Sequence, residues 1–147
     1  MKVHFYKFQG TGNDFIMIDQ RVQRCIHDTD HKIIAKLCDR RFGIGADGLI
    51  FLENADGVDF KMVYFNADGH EGSMCGNGGR CIISFAHSLG ISDKETKFSA
   101  IDGLHYGLLN DDSTVSLQMK NVLEIKKTDS HSFELNTGSP HYVCFLN

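Results

Sequence analysis

The sequence predicts an α+β domain in which a curved, mostly antiparallel sheet wraps around one central helix. Two observations carry this. Short runs rich in β-branched and aromatic residues recur between turns built from Gly, Asn and Asp. One helical run, Cys81, Ile82, Ile83, Phe85, Ala86 and Leu89 ahead of Gly90, has apolar residues around much of its circumference. Such a helix must be buried from most sides, and in a chain otherwise made of strands a curled sheet can do it.

The elements follow in order. Residues 3–8 and 15–19 alternate as two strands about the turn Gln9-Gly10-Thr11-Gly12-Asn13-Asp14. Residues 30–41 predict a helix capped by Thr29 or Asp28, with an apolar stripe of Ile33, Ile34 and Leu37 and with Cys38 as a small core residue. Arg40 and Arg41 suit its C-terminal end, and Gly43 suits a left-handed stop. Phe42-Gly-Ile-Gly-Ala-Asp-Gly48 leads into a strand over residues 49–53; a strand following Gly-x-Gly argues against a dinucleotide fingerprint. Residues 58–65 place Val58, Phe60, Met62 and Tyr64 on one face and a mixed set on the other, so this strand is expected to be buried in part on both sides. After the central helix, residues 97–101 and 104–109 flank Asp102-Gly103, which favours a type I′ hairpin, and residues 114–119 complete a meander. The last stretch is less regular, with extended runs over residues 133–136 and 142–146.

Composition narrows the function. Nineteen acidic against fifteen basic residues, with no basic stripe, argue against a nucleic-acid partner. No apolar run approaches the roughly 20 residues of a membrane span, and the N-terminus alternates instead of forming a secretory core, so the cytoplasm is the expected location. The five cysteines, Cys25, Cys38, Cys75, Cys81 and Cys144, include no Cys-x-x-Cys pair, which fits free thiols better than disulfides or zinc. No histidines recur at metal-binding spacing on a helix face, and no metal is expected.

Asn66-Ala-Asp-Gly-His-Glu-Gly-Ser-Met-Cys75-Gly-Asn-Gly-Gly-Arg80 joins the strand ending at Phe65 to the central helix. Cys75 falls where that helix begins, among Gly76, Gly78 and Gly79. A helix start leaves backbone N–H groups free, cradles an anion and favours a thiolate. Three roles are open to Cys75: a buried structural thiol, a redox or metal ligand, or an active-site thiolate acting as nucleophile or base. Its separation from Cys81 fits no usual metal or redox spacing. A nucleophile would need a histidine, with His70 and His87 available; a base acting on a carbon acid would need a dry pocket and donors for the substrate carboxylate.

Four blocks occur in order: Lys7-Phe-Gln-Gly-Thr-Gly-Asn-Asp-Phe15, Arg41-Phe-Gly-Ile-Gly-Ala-Asp-Gly48, Phe65-Asn-Ala-Asp-Gly69 and Met74-Cys-Gly-Asn-Gly-Gly-Arg-Cys81. Together they closely resemble the first half of the diaminopimelate epimerases. The resemblance implies an isomerase of lysine and peptidoglycan precursor synthesis that inverts an α-carbon without pyridoxal phosphate or any other cofactor. It implies two bases: one cysteine removes the α-proton and a second returns a proton to the opposite face. Cys75 matches the first. Asn13 and Asn66 match side chains that hold the amino-acid substrate, and Gly76 and Asn77 match the helix start that receives its α-carboxylate. Ser139 stands where the family often has a substrate-binding asparagine, and Gly48 where many members have a glutamine.

The family is built from two similar, pseudo-symmetric domains. Residues 1–120 are expected to form the N-terminal one, carrying the first cysteine, and residues 121–147 a linker and the start of the second. A fragment, inactive alone, is therefore expected, since the second Cys-Gly-x-Gly turn is not in this sequence. A homodimer is the assembly that the resemblance leaves open for the full enzyme. A racemase of another amino acid and a non-catalytic ligand-binding domain are the alternatives.

Overall fold

The computed structural model describes residues 2–146. Met1 and Asn147, the outer ends of the two expected units, lie outside them. The first sheet has seven strands in sequential order: β1 (Tyr6–Gly10), β2 (Asn13–Asp19), β3 (Gly48–Glu53), β4 (Phe60–Asn66), β5 (Glu95–Ala100), β6 (Gly103–Leu109) and β7 (Val115–Leu117). Its pairings are antiparallel except for β2 with β3 and β4 with β5. Each parallel pair is bridged by a helix, α1 (His31–Cys38) between β2 and β3 and α2 (Gly76–Ser88) between β4 and β5. A parallel pair cannot close through a tight turn, so each needs such a crossover.

The strands between the helices are buried on both faces. Phe15 and Met17 of β2, Ile50 and Leu52 of β3, and Phe60 and Met62 of β4 pack with Ile82, Ile83, Phe85 and Ala86 of α2. The alternate residues Ile16, Ile18, Leu49, Phe51, Val63 and Phe65 pack with Ile34 and Cys38 of α1 on the other face. Helix α2 touches both edge strands, β1 and β7, so the sheet curls around it as the sequence predicts. Ile82, Ile83 and Phe85 are fully buried; each contributes about 1.5–3 kcal/mol by leaving water. Phe85 also meets the rings of Tyr6 and Phe8 at 5.0 and 5.6 Å, which ties the helix to the edge strand. The helix start lies close against its neighbours: a Cβ on Gly78 would come 3.0 Å from Ile50, and one on Gly79 would come 2.7 Å from Met74.

Several local expectations are corrected. α1 ends at Cys38, and Gly45 (φ +83°), not Gly43, takes the left-handed conformation. The chain turns back over the helix end, where Ile44 and Gly45 donate to the Leu37 carbonyl and Ala46 to that of Cys38. Asp30 is the N-cap residue, and its carboxylate accepts from the His27 N–H instead of capping the helix. The buried side of α1 is Ile34 with Cys38, while Ile33 is half exposed. In the β5–β6 hairpin Ala100 pairs with Gly103, so Ile101 and Asp102 are the two turn residues. Neither has a positive φ, which excludes type I′; only Gly103 (φ +119°) does.

Residues beyond β7 form a second, three-stranded antiparallel sheet in the order β10-β9-β8, with β8 (Ile125–Lys127), β9 (Ser132–Asn136) and β10 (Pro140–Cys144). Among the described residues no helix is long and apolar enough to cross a membrane.

Candidate active site

Cys75 is the N-cap residue of α2, with extended backbone (φ −106°, ψ 116°) that turns into the helix at Gly76. Its Sγ accepts the Gly78 N–H at 3.4 Å, and its carbonyl accepts the Gly79 N–H at 2.8 Å. The N–H groups of Gly76 and Asn77 find no protein acceptor among the described residues. Two free donors beside a half-buried sulfur, at the positive end of a 13-residue helix, form a cradle for an anion.

Asn13, at the start of β2, closes this corner from the sheet side. Its Oδ1 accepts from Asn77 Nδ2 at 3.3 Å and from the Cys75 thiol at 3.7 Å. Its Nδ2 donates to Asp47 Oδ2 at 2.9 Å, which fixes the amide orientation. Asp47 is itself held: the Asp14 N–H donates to Oδ2 at 3.1 Å and Arg40 to Oδ1 at 2.8 Å. Arg40 also donates to Asp14 at 2.7 Å, and Lys7 pairs with the same carboxylate at 2.6 Å. The hydrogen bond from Arg40 and the one from Lys7 hold the Asp14 carboxyl well below the usual carboxylate range, against a smaller opposing effect of burial. Hydrogen bonds from Asn13, the Asp14 backbone and Arg40 lower Asp47 as well. Asn77 is braced on its oxygen by Arg80 and by Thr11 Oγ1.

Among the described residues neither Asn66 nor Ser139 is hydrogen-bonded to Cys75. Asn66 ends β4, where it pairs with Gly48, and its Oδ1 accepts from the Tyr64 phenol at 2.9 Å. Ser139 Oγ donates to the Met74 carbonyl at 2.9 Å and lies 2.6 Å from Ser73 Oγ. It thus ties the second sheet to the loop that presents Cys75. The other two thiols of the core differ in kind. Burial pushes both Cys38 and Cys81 up to about 11.

The structure therefore brings together Asn13, Cys75, Gly76 and Asn77; Ser139 is tied to Met74, next to Cys75, and Asn66 is bonded to Tyr64. Arg40, Asp14, Asp47, Arg80 and Tyr64 were not singled out as site residues. Asp14, Asp47 and Arg80 lie inside the recognised blocks, which is the one signal the sequence offers for them. A hollow of about 700 Å³ across β5–β7, beside Thr96, Tyr106 and Ser116, contains none of these groups.

A family model described as diaminopimelate epimerase matches residues 5–143. The chain belongs to the diaminopimelate epimerase family. A diaminopimelate epimerase of Flavobacterium psychrophilum is 59% identical over 142 residues, covering 97% of this chain and 55% of that protein. The chain thus spans about half the length of the curated relatives it matches. Two solved structures share the fold at 14% identity. A phenazine biosynthesis protein of Bacillus anthracis superposes with a TM-score of 0.68, over 97% of this chain and 54% of that one. A hydroxyproline epimerase of Agrobacterium vitis superposes with a TM-score of 0.67, over 95% of this chain and 50% of that one. The curled sheet around α2 is thus the architecture of the diaminopimelate epimerase-like fold.

Proposed function

We propose that this chain supplies one half of the site of a diaminopimelate epimerase, interconverting LL- and meso-diaminopimelate in lysine and peptidoglycan precursor synthesis. The observation that carries this is the juxtaposition of the Cys75 sulfur with the free N–H groups of Gly76 and Asn77 at one helix start. The chemistry follows from it. With the substrate α-carboxylate on those two N–H groups, the Cys75 thiolate takes the proton from the α-carbon. The electron pair left behind spreads onto the carboxylate, whose growing charge the helix start stabilises. A thiol from the remainder of the enzyme delivers a proton to the opposite face, leaving the carbon inverted. Each turnover moves one proton onto Cys75 and one off its counterpart, so no metal, pyridoxal phosphate or redox group enters the balance. Asn13, whose carboxamide contacts the sulfur, is assigned to substrate binding together with Asn66 and Ser139.

The substrate is a free amino acid in the cytoplasm, and a homodimer is the proposed assembly of the full enzyme. The test is α-proton exchange in deuterated water with LL-diaminopimelate. The protein that carries this chain with a second, Cys-containing half is expected to incorporate deuterium as it forms the meso isomer. The 147-residue stretch alone is expected to do neither. Turnover of another amino acid instead would reassign the substrate, and binding that survives Cys75→Ser with no exchange in any form would make this a binding domain.

A further inference from the structure

The Tyr64 ring lies in a slot made by two glycines. A Cβ on Gly48 would come 2.6 Å from Cε2 of the ring, and one on Gly72 would come 2.6 Å from Cε1. Neither glycine has a positive φ, so backbone conformation does not demand glycine at either position. At Gly48 the carbonyl of Phe65 is equally close; at Gly72 the nearest atoms are the tyrosine ring itself and Asn66 Nδ2, at 3.1 Å. The Gly72 N–H donates to the Tyr64 carbonyl at 2.9 Å, which holds the loop against the ring, and Phe15 meets the ring edge-on at 6.0 Å. So confined, the ring delivers its hydroxyl to Asn66 Oδ1 at 2.9 Å. Burial pushes the phenol up to about 12, still further from ionisation at neutral pH, and the O–H is the donor. Asn66 is exposed, and among the described residues its Nδ2 has no protein acceptor.

A carboxamide at an exposed strand end turns easily about its last torsion. A donor that engages Oδ1 removes that freedom before a ligand arrives, which spares the ordering cost at binding. We propose that Tyr64 is a positioning and specificity-determining residue: it fixes the Asn66 carboxamide so that Nδ2, a donor, is offered to an acceptor oxygen of the bound amino acid. The identity of that ligand rests on the function proposed above. A ligand presenting a donor at the same place meets a donor and is rejected.

Tyr64→Phe keeps the ring in its slot and deletes only the hydroxyl. In the enzyme that contains this chain, KM for diaminopimelate is expected to rise about tenfold with kcat changed by less than about threefold. A loss in kcat at unchanged KM, or no change in either, overturns the proposal. Gly72→Ala, which presses on the ring from its other edge, is expected to raise KM in the same direction. A second readout is free of catalysis. The two side-chain amide protons of Asn66, held apart in the ligand-free wild type by the fixed geometry, are expected to move toward free-carboxamide shifts in Tyr64→Phe. Asn66 amide signals that do not move overturn the positioning role. A wild-type enzyme that does not turn over diaminopimelate defeats the assigned reaction instead, while the Asn66 signals still decide the role of Tyr64.

Discussion

The Gly78 N–H points at the Cys75 sulfur, 3.4 Å away, so the side chain proposed as the base is also the cap of the helix it precedes. The two roles can be separated by substitution. A serine oxygen caps a helix as well as any side chain, whereas alanine leaves the Gly78 N–H unpaired. Cys75→Ser is therefore expected to unfold at the wild-type midpoint or slightly above it. Cys75→Ala is expected to lose about 1 kcal/mol. Both should abolish α-proton exchange in the complete enzyme. Equal stability of the two variants in urea would show that the sulfur contributes nothing as a cap.

The thiols should differ sharply toward iodoacetamide. Cys38 and Cys81 are buried, with their ionisation pushed up to about 11. At pH 8 roughly one part in a thousand of either is thiolate, the form that alkylates. Cys75 is half-buried at a helix start and should label ahead of Cys38 and Cys81 at limiting reagent, as read by peptide mass mapping. Labelling of Cys38 or Cys81 ahead of Cys75 in the folded protein would contradict the site described here.

How much of this was legible in the sequence depended on the range of the interactions. The central helix could be read from Ile82, Ile83 and Phe85 because their apolar pattern is local, and Gly90 marks its end with a φ of +67°. The position of Cys75 at its start followed from the same signal. The Arg40–Asp14–Asp47 network could not be read, because Asp14 lies 26 residues from Arg40 and 33 from Asp47 and meets them only when β2 and β3 pair in parallel. Strand β8 was missed for a different reason: Ile125, Lys126 and Lys127 are all exposed, so no face imposes an alternation. The hairpin at Asp102-Gly103 was legible, but its turn type depended on register, which the partner strand sets.

That charged network makes a pH-dependent contribution that can be isolated. Asp14 has a folded-state pKa lowered mainly by Arg40, so the folded state binds its proton less readily than the unfolded chain does. Its stabilisation is therefore complete above the unfolded value of about 3.9 and is lost as pH falls below it. Asp14→Asn removes the carboxylate and leaves Lys7 and Arg40 facing an amide. The variant is expected to be less stable than wild type in urea at pH 7, with the gap narrowing steadily from pH 4 to pH 2. A gap that stays constant over that range would mean that packing, not charge, sets the role of Asp14.

The turn that follows Asn66 offers the most demanding test of the fold. Gly69 has a φ of +86°, and a Cβ there would lie 2.1 Å from the carbonyl oxygen of His31, in the first turn of α1. Its N–H donates to the Asn66 carbonyl at 2.9 Å, and its own carbonyl lies 2.8 Å from His31 Nδ1, so the turn is pinned from both sides. Gly69→Ala thus combines an unfavourable backbone conformation with a collision against backbone, which has no rotamer through which to yield. The conformational part alone costs about 1 kcal/mol or more, and the collision adds to it. Unfolding is expected at least several degrees below wild type, and because the strain falls within three residues of Asn66, ligand binding should weaken as well. A variant that melts with the wild type would show that the turn and α1 do not pack as described.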